Sequence, residues 1–305
     1  MLVWIPFADG RRLMGPLPAG VEVEVWDGRD PFPDRAAQVE VLVPPWWPKD
    51  TVASALAAMP SLRLIQMLNA GVDWIVGAVP DDVTLCNAGD VNAVEVAEWV
   101  MAVTLSHLRQ LPAFARAHEA GRWSPILTST LRNRRVVVVG SGSIGRALVA
   151  MLEPFGADVT VVARTARPGV EPVERLADLV GDTDVLVVAA ALTEGSRGLV
   201  DRELLAALPD GALVVNVGRG PIVVTDDLLA ELGTERLHAA LDVTDPEPLP
   251  EGHPLWSAPN LTLTPHVGGG TTNFMPNAFG LVGDQVRRLA AGEALRFRID
   301  PQSYR

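Results

Sequence analysis

The sequence predicts an α/β chain built from two doubly wound parallel-sheet domains. Short β-rich runs alternate with helical stretches along most of its length. Several of the runs are continuous and apolar, as in Val136-Val137-Val138-Val139, which suits strands buried on both faces. At 305 residues the chain also exceeds the size at which one core usually divides.

The elements follow in order. Leu2 to Phe7 and Val21 to Trp26 are β-rich and bounded by Gly and Pro, and Val39 to Val43 is a further apolar run stopped by Pro44-Pro45. Thr51 to Met59 has helical composition, with Asp50 or Thr51 as N-cap, and Leu62 to Leu68 is strand-like again. A long helix is expected from about Ala93 to Ala120. Pro112 must kink or break it, because proline lacks an N–H and clashes with the preceding turn. Gly121 to Thr130 reads as loop. Beyond Arg135, apolar runs recur at Val159–Ala163, Val185–Ala190, Ala212–Val217, Leu237–Leu241 and Leu261–Leu263. Helical stretches such as Ile144–Phe155 and Asp201–Leu208 separate most of them, and a last helix is expected from about Asn277 to Ala291.

Composition narrows the function classes. Hydrophobic residues are 48% and aromatics 5%, so the cores should be aliphatic. A net charge of −12 repels polyphosphate backbones and argues against nucleic-acid binding. The basic cluster Arg132-Asn133-Arg134-Arg135 reads as a solvated strand entry. The lone Cys86 excludes an internal disulfide and a cysteine-based metal site, and no metal is expected. No apolar run reaches the ~20 residues of a membrane span, and the start lacks a secretory pattern, so the cytoplasm is the expected compartment.

The first sharp motif is Gly140-Ser141-Gly142-Ser143-Ile144-Gly145, between a buried strand and a helix. Gly140 permits the tight turn, Gly142 admits a pyrophosphate to the backbone, and Gly145 lets helix and strand pack closely. The N–H groups of Ser143 and Ile144 open the helix whose positive end meets the phosphates. NAD-binding versions carry an acid about twenty residues on, at the end of the next strand. Here Ala163 stands at that position, followed by Arg164 and Arg167. A missing carboxylate removes repulsion of a 2′-phosphate, and guanidinium groups bind phosphate in a fork geometry. The expected cofactor is therefore NADP(H), with NAD(H) possible.

Three segments at predicted strand ends carry the chemistry: Asn216-Val217-Gly218-Arg219-Gly220, Asp242-Val243-Thr244-Asp245-Pro246-Glu247-Pro248, and Thr264-Pro265-His266. Carboxyl ends of strands form the ligand crevice of an open α/β sheet. Reduction of a 2-oxo acid needs a hydride at the carbonyl carbon and a proton at its oxygen. His266 can give the proton near neutral pH. A carboxylate beside the imidazole fixes its tautomer, which gives Glu247 the tuning role. Arg219 can hold the substrate carboxylate and polarise the carbonyl.

In these segments the sequence resembles the D-isomer-specific 2-hydroxyacid dehydrogenase family, nearest to its NADP-dependent glyoxylate/hydroxypyruvate reductases. Further matching stretches are Asn69-Ala70-Gly71-Val72-Asp73, Val96-Ala97-Glu98 and His253-Pro254-Leu255-Trp256. The resemblance implies two Rossmann/flavodoxin-like domains with a cleft between them. Residues 1–95 plus 285–305 would bind substrate, and residues 96–284, including hinge helices, would bind the dinucleotide. Backbone N–H groups around Ala70, Gly71 and Val72 would hold the substrate carboxylate, helped by Arg219 and His266. Asp242 would contact the nicotinamide amide, Thr193 and Gly218 would line the cofactor site, and a homodimer is expected. The family's Pro-Leu-Thr segment reads Ala191-Leu192-Thr193 here, and Gly268-Gly269-Gly270 is unusually glycine-rich. Trp46 and Trp47 are read as surface packing, with a pocket-lining role as the rival.

The reading is thus NADPH-dependent reduction of a small 2-oxo acid to the D-2-hydroxy acid. The alternatives are a non-catalytic dinucleotide sensor on the same fold, and an NAD-dependent oxidising enzyme.

Overall fold

The structure is a computed structural model that describes residues 1–29, 34–46 and 49–304. The chain forms two compact units, Met1–Asn92 with Thr272–Arg305, and Ala93–Thr271.

In the first unit, the strands are β1 (Leu2–Ile5), β2 (Glu22–Val25), β3 (Val39–Leu42), β4 (Leu64–Gln66) and β5 (Thr84–Cys86). Among the described residues they form one parallel sheet in the order β2-β1-β3-β4-β5. Helices α1 (Gly10–Leu13) and α2 (Lys49–Ala55) belong to the same unit. Alternation along β1 feeds two cores: Leu2 and Trp4 join one cluster with Leu42, Ile65 and Val72. Val3 and Ile5 join the other with Val41, Phe279 and Val282. Helix α2 starts at Lys49, so Asp50 and Thr51 lie inside its first turn and neither is the cap.

The second unit opens with α3 (Ala93–Leu108) and α4 (Leu111–Glu119). The expected long helix is broken between them: Gln110 takes φ +54°, and Pro112 falls in the first turn of α4, where no helical N–H is needed. The strands are β6 (Arg135–Val139), β7 (Asp158–Ala163), β8 (Glu171–Pro172), β9 (Val185–Val188), β10 (Leu213–Asn216), β11 (His238–Leu241) and β12 (Leu261–Leu263). Between them run α5 (Ser143–Leu152), α6 (Leu176–Leu179), α7 (Arg202–Ala207) and α8 (Thr225–Gly233). The described strands are parallel in the order β12-β11-β10-β9-β6-β7-β8. The order reverses between β6 and β9, the switch point at which such sheets hold ligands.

The continuous valines of β6 are explained by burial on both faces. Val137 and Val139 lie in one cluster with Val162, Leu186 and Val214, while Val136 and Val138 lie in another with Leu148 and Val215. Each such side chain contributes roughly 1.5–3 kcal/mol by leaving water. Strand β8 and helices α6 and α8 escaped the sequence reading, being too short or too acidic to show a clear period.

The last helix, α9 (Phe274–Ala291), corrects the expected boundary at residue 285. Its buried face, Phe274, Ala278, Phe279, Val282 and Val286, packs in the core of β1 and β3, so the whole helix belongs to the first unit. The same unit holds Trp46, whose ring lies 5.2 Å from Phe7 and 5.7 Å from Phe274. Trp46 packs on these rings while remaining 36% exposed; Trp47 lies outside the described residues. Among the described residues, no helix is long and apolar enough to cross a membrane.

Candidate active site

The glycine loop joins β6 to α5 at the switch point. Gly140 takes φ +117°, and a Cβ there would sit 2.6 Å from the Ala189 carbonyl oxygen beyond β9. A Cβ on Gly145 would strike the Gly140 carbonyl oxygen at 2.0 Å, whereas Gly142 faces open space. These are the requirements of a backbone cradle with room for a pyrophosphate. Ser143 and Ile144 form the first turn of α5, at the positive end of the helix.

Beyond β7, Arg164 and Arg167 are exposed, and Ala163 occupies the end of the strand. Arg167 is tied to the loop itself, its Nη2 donating to the Ser141 carbonyl at 3.1 Å. Arg146, missed in the sequence, donates to the same carbonyl at 3.2 Å. Its signal was available, since it follows Gly145 on the face one turn into the helix. Residues present thus fit a dinucleotide, with cationic rather than anionic groups beside the adenosine end.

Arg219, Glu247 and His266 lie at the carboxyl ends of β10, β11 and β12. Asn216, the last residue of β10, holds the first of these loops: its Nδ2 donates to the Arg219 carbonyl at 3.0 Å, and its Oδ1 accepts from Gly218 N–H at 3.0 Å. Gly218 itself passes close to the β9 loop, where a Cβ would lie 2.6 Å from the Ala190 carbonyl oxygen. Gly220 is tighter still. A Cβ there would meet the Thr244 carbonyl oxygen at 1.9 Å, so only glycine lets the Arg219 loop touch the loop that bears Glu247.

Glu247 Oε1 lies 2.8 Å from His266 Nδ1. Burial by itself would raise the Glu247 carboxyl. The hydrogen bond and charge of His266, the charge of Arg219 and a backbone bond at Thr244 outweigh it and hold Glu247 below the usual carboxylate range. An ionised carboxylate only accepts, so Nδ1 carries the shared proton and Nε2 is the nitrogen left for chemistry. Arg219 also donates from Nη1 to the Gly218 carbonyl at 2.8 Å.

Asp242 organises the third loop. Its buried carboxylate accepts from Thr264 Oγ1 at 2.6 Å and from Val267 N–H at 2.8 Å on one oxygen, and from Gly268 N–H at 2.8 Å on the other. Its carbonyl accepts from His266 N–H at 2.8 Å, while His266 is held at φ +56°. Residues on both sides of the histidine are thereby fixed. Thr264 and Asn216 had no assigned role in the sequence reading; a polar side chain ending an apolar strand is their common signal. Thr193 sits in a turn built on Ser196, whose Oγ accepts from Thr193 N–H at 2.8 Å and donates to the Ala191 carbonyl at 2.8 Å.

Ala70, Gly71 and Val72, expected to meet the substrate carboxylate, are in the first unit. Val72 is buried in its core, and its carbonyl accepts from Ile75 and Val76 N–H groups. The Ala70 carbonyl accepts from Asn87 Nδ2 at 2.8 Å, and Gly71 follows in the same loop.

A doubly wound sheet with a phosphate cradle at its switch point and a joined acid–imidazole pair beside it defines a dinucleotide-dependent oxidoreductase. Residues 101–268 match the family model described as D-isomer specific 2-hydroxyacid dehydrogenase, NAD binding domain. The glyoxylate/hydroxypyruvate reductase A of Klebsiella pneumoniae strain 342 is 30% identical over 306 residues, covering 96% of this chain and 94% of that protein. Among solved structures, a D-isomer specific 2-hydroxyacid dehydrogenase from Xanthobacter autotrophicus Py2, in complex with NADPH and MES, is 31% identical with TM-score 0.86 and covers 100% of this chain and 99% of that one. The NADPH-dependent glyoxylate/hydroxypyruvate reductase of Sinorhizobium meliloti, in complex with NADP and sulfate, is 26% identical with TM-score 0.86, covering 100% and 99%. The chain belongs to the D-isomer specific 2-hydroxyacid dehydrogenase family.

Proposed function

We propose that this enzyme reduces small 2-oxo acids of the glyoxylate and hydroxypyruvate type to D-2-hydroxy acids, with NADPH preferred over NADH. The observation that carries the reading is the 2.8 Å Glu247–His266 pair, within the field of Arg219 and in the same unit as a phosphate cradle flanked by Arg164 and Arg167.

The cofactor, when bound, supplies a hydride to the carbonyl carbon. Backbone N–H groups of Ala70, Gly71 and Val72 hold the substrate carboxylate, which suits a preorganised loop. Arg219 anchors the substrate and polarises its carbonyl. As the carbonyl oxygen gains electron density, His266 Nε2 gives it a proton. Glu247 keeps the ring oriented and balances its charge. Thr193 and Gly218 line the nicotinamide end, and Asp242 Oδ2, which accepts from the Gly268 N–H, has a lone pair left for the carboxamide. Arg164 and Arg167 receive the 2′-phosphate.

We assign the active form as a homodimer. Trp123 and Leu127 are 97% and 102% exposed, and α4 beside them buries no residue, an apolar arm that a second copy would cover. Cytoplasmic residence completes the reading, since that compartment supplies the reduced cofactor.

The test is a panel of 2-oxo acids assayed with each reduced cofactor. Turnover of glyoxylate or hydroxypyruvate, faster with NADPH, is expected. Absence of turnover with every acid would sink the reading.

A further inference from the structure

Two arginines of the second unit converge on one carbonyl. Nη1 of Arg146 donates to the Ser141 oxygen at 3.2 Å, and Nη2 of Arg167 donates to the same oxygen at 3.1 Å. Ser141 lies between Gly140 and Gly142 in the glycine loop. Arg146 reaches it from α5, and Arg167 from the connection beyond β7. One neutral acceptor thus holds two cations side by side, and like charges that close repel. Arg135 and Arg175 of the same unit have carboxylate partners, Asp182 and Glu171. Among the described residues, Arg146 and Arg167 have none, in a chain whose net charge is −12.

Neither is a loose surface side chain. Arg167 is fixed through its backbone as well, its N–H donating to the Val170 carbonyl at 3.1 Å and its carbonyl accepting from Val170 N–H at 2.8 Å. The N–H of Arg146 donates to the Gly142 carbonyl at 3.0 Å and so starts the hydrogen-bond ladder of α5. Both side chains are exposed, and each uses one nitrogen on Ser141, so donors of each five-donor fork remain for a ligand. Two cations held together ahead of binding make a preorganised anion site.

The position selects the anion. The dinucleotide pyrophosphate belongs to the backbone at Gly142 and the positive end of α5. The end of β7 belongs to the adenosine ribose, and there Ala163 replaces the usual acid. Arg167 follows Ala163 in that connection, so the arginine pair stands on the ribose side of the loop. A phosphate at the ribose 2′ position brings about two negative charges and three acceptor oxygens, enough for both forks.

We infer that Arg146 is a specificity-determining residue for the cofactor: with Arg167 it makes a two-guanidinium clamp, braced on the Ser141 carbonyl, for the 2′-phosphate of NADPH. The inference rests on the NADPH reading above and adds to it a residue from α5, outside the connection that carries Arg164 and Arg167. NADH has a hydroxyl in place of that phosphate and gains little from the added cation.

The experiment measures Kd for NADPH and NADH by fluorescence titration in the wild type, Arg146→Ala, Arg167→Ala and Arg132→Ala. Arg132, exposed just before β6 and so at the opposite end of that strand from the loop, is the charge control. Arg146→Ala should weaken NADPH about 10- to 100-fold and NADH by no more than about twofold, the retained NADH binding reporting a folded variant. Arg132→Ala should leave both within about twofold. Should the alanine variant not fold, Arg146→Gln decides the same comparison. A second readout needs no nicotinamide. Adenosine 2′,5′-bisphosphate should raise the wild-type melting temperature more than AMP does, and Arg146→Ala should shrink that difference. Equal weakening of both cofactors would mean that Arg146 serves the loop or the pyrophosphate, and no weakening of either would make it a solvated side chain; each result overturns the inference. If Arg167→Ala discriminates NADPH from NADH and Arg146→Ala does not, the role of Arg146 falls alone. A wild type that binds NADH as tightly as NADPH removes the cofactor reading with it.

Discussion

At Glu247 two opposing effects meet, burial against the bond and charge of an imidazole and a guanidinium, and the latter win. The sign of the pH dependence follows. A carboxyl held below its unfolded value stabilises the fold at pH above the ordinary carboxylate range, and that contribution is lost as pH falls through the depressed value. Glu247→Gln should therefore melt below the wild type at about pH 7, with the gap closing as the wild type is acidified to about pH 3. A gap that stays constant across that range would show that the charge on Glu247 is not what matters. Arg164 is a second residue-scale case. Its replacement by alanine should raise KM for NADPH at least tenfold more than KM for NADH, since only the former carries a 2′-phosphate. Equal changes in the two constants would place Arg164 outside the cofactor site. The pairing of Glu247 with His266, near the charge of Arg219, was legible because the chemistry expected there demands those residue types. A role was not legible where a neutral side chain holds a loop, as with Asn216 and Thr264, because amides and hydroxyls occur everywhere on surfaces and only burial distinguishes these.

Elements place those residues through close backbone approaches. Gly220 is the clearest, since any side chain would enter the Thr244 carbonyl. Gly220→Ala should cost about 1–3 kcal/mol of stability by overpacking and lower kcat/KM by more than tenfold as the Arg219 and Glu247 loops separate. Gly181→Ala is the matched control, because a Cβ there meets nothing within 4 Å and should leave both quantities near wild type. Identical behaviour of the two variants would refute the contact. Strands buried on both faces announced themselves as apolar runs, β6 above all. Helix α8 did not, because Asp226 and Asp227 in its first turn read as loop composition, although acids there favour a helix N-terminus. The α3–α4 break shows how a local rule can be right in kind and still need the structure for its outcome. Pro112 ended the helix, and the chain used a left-handed Gln110 to restart it.

For the whole molecule, the division into two units was legible from length and from the strand–helix alternation. The boundary was not, because the amphipathic stretch of α9 could have packed on either sheet; Phe279 and Val282 settle it by joining the core of β1 and β3. Assembly belongs to this scale as well. The exposed Trp123 and Leu127 make the arm after α4 the surface to perturb. Light scattering should find a dimer for the wild type, and Trp123→Arg should shift it toward monomer at low micromolar concentration. A wild-type monomer at all concentrations would remove the proposed dimer while leaving the chemistry of each chain untouched.

Everything else depends on His266 as the proton donor beside a bound cofactor. One comparison bears on it: steady-state reduction of glyoxylate by His266→Ala, alongside NADPH affinity of the same variant by fluorescence titration. Loss of kcat by about 10²–10⁴-fold with NADPH affinity within twofold of wild type is expected, as befits a residue that acts in proton transfer and not in holding the dinucleotide. Near-normal turnover, or a loss explained entirely by failure to bind NADPH, would show that the proton comes from elsewhere.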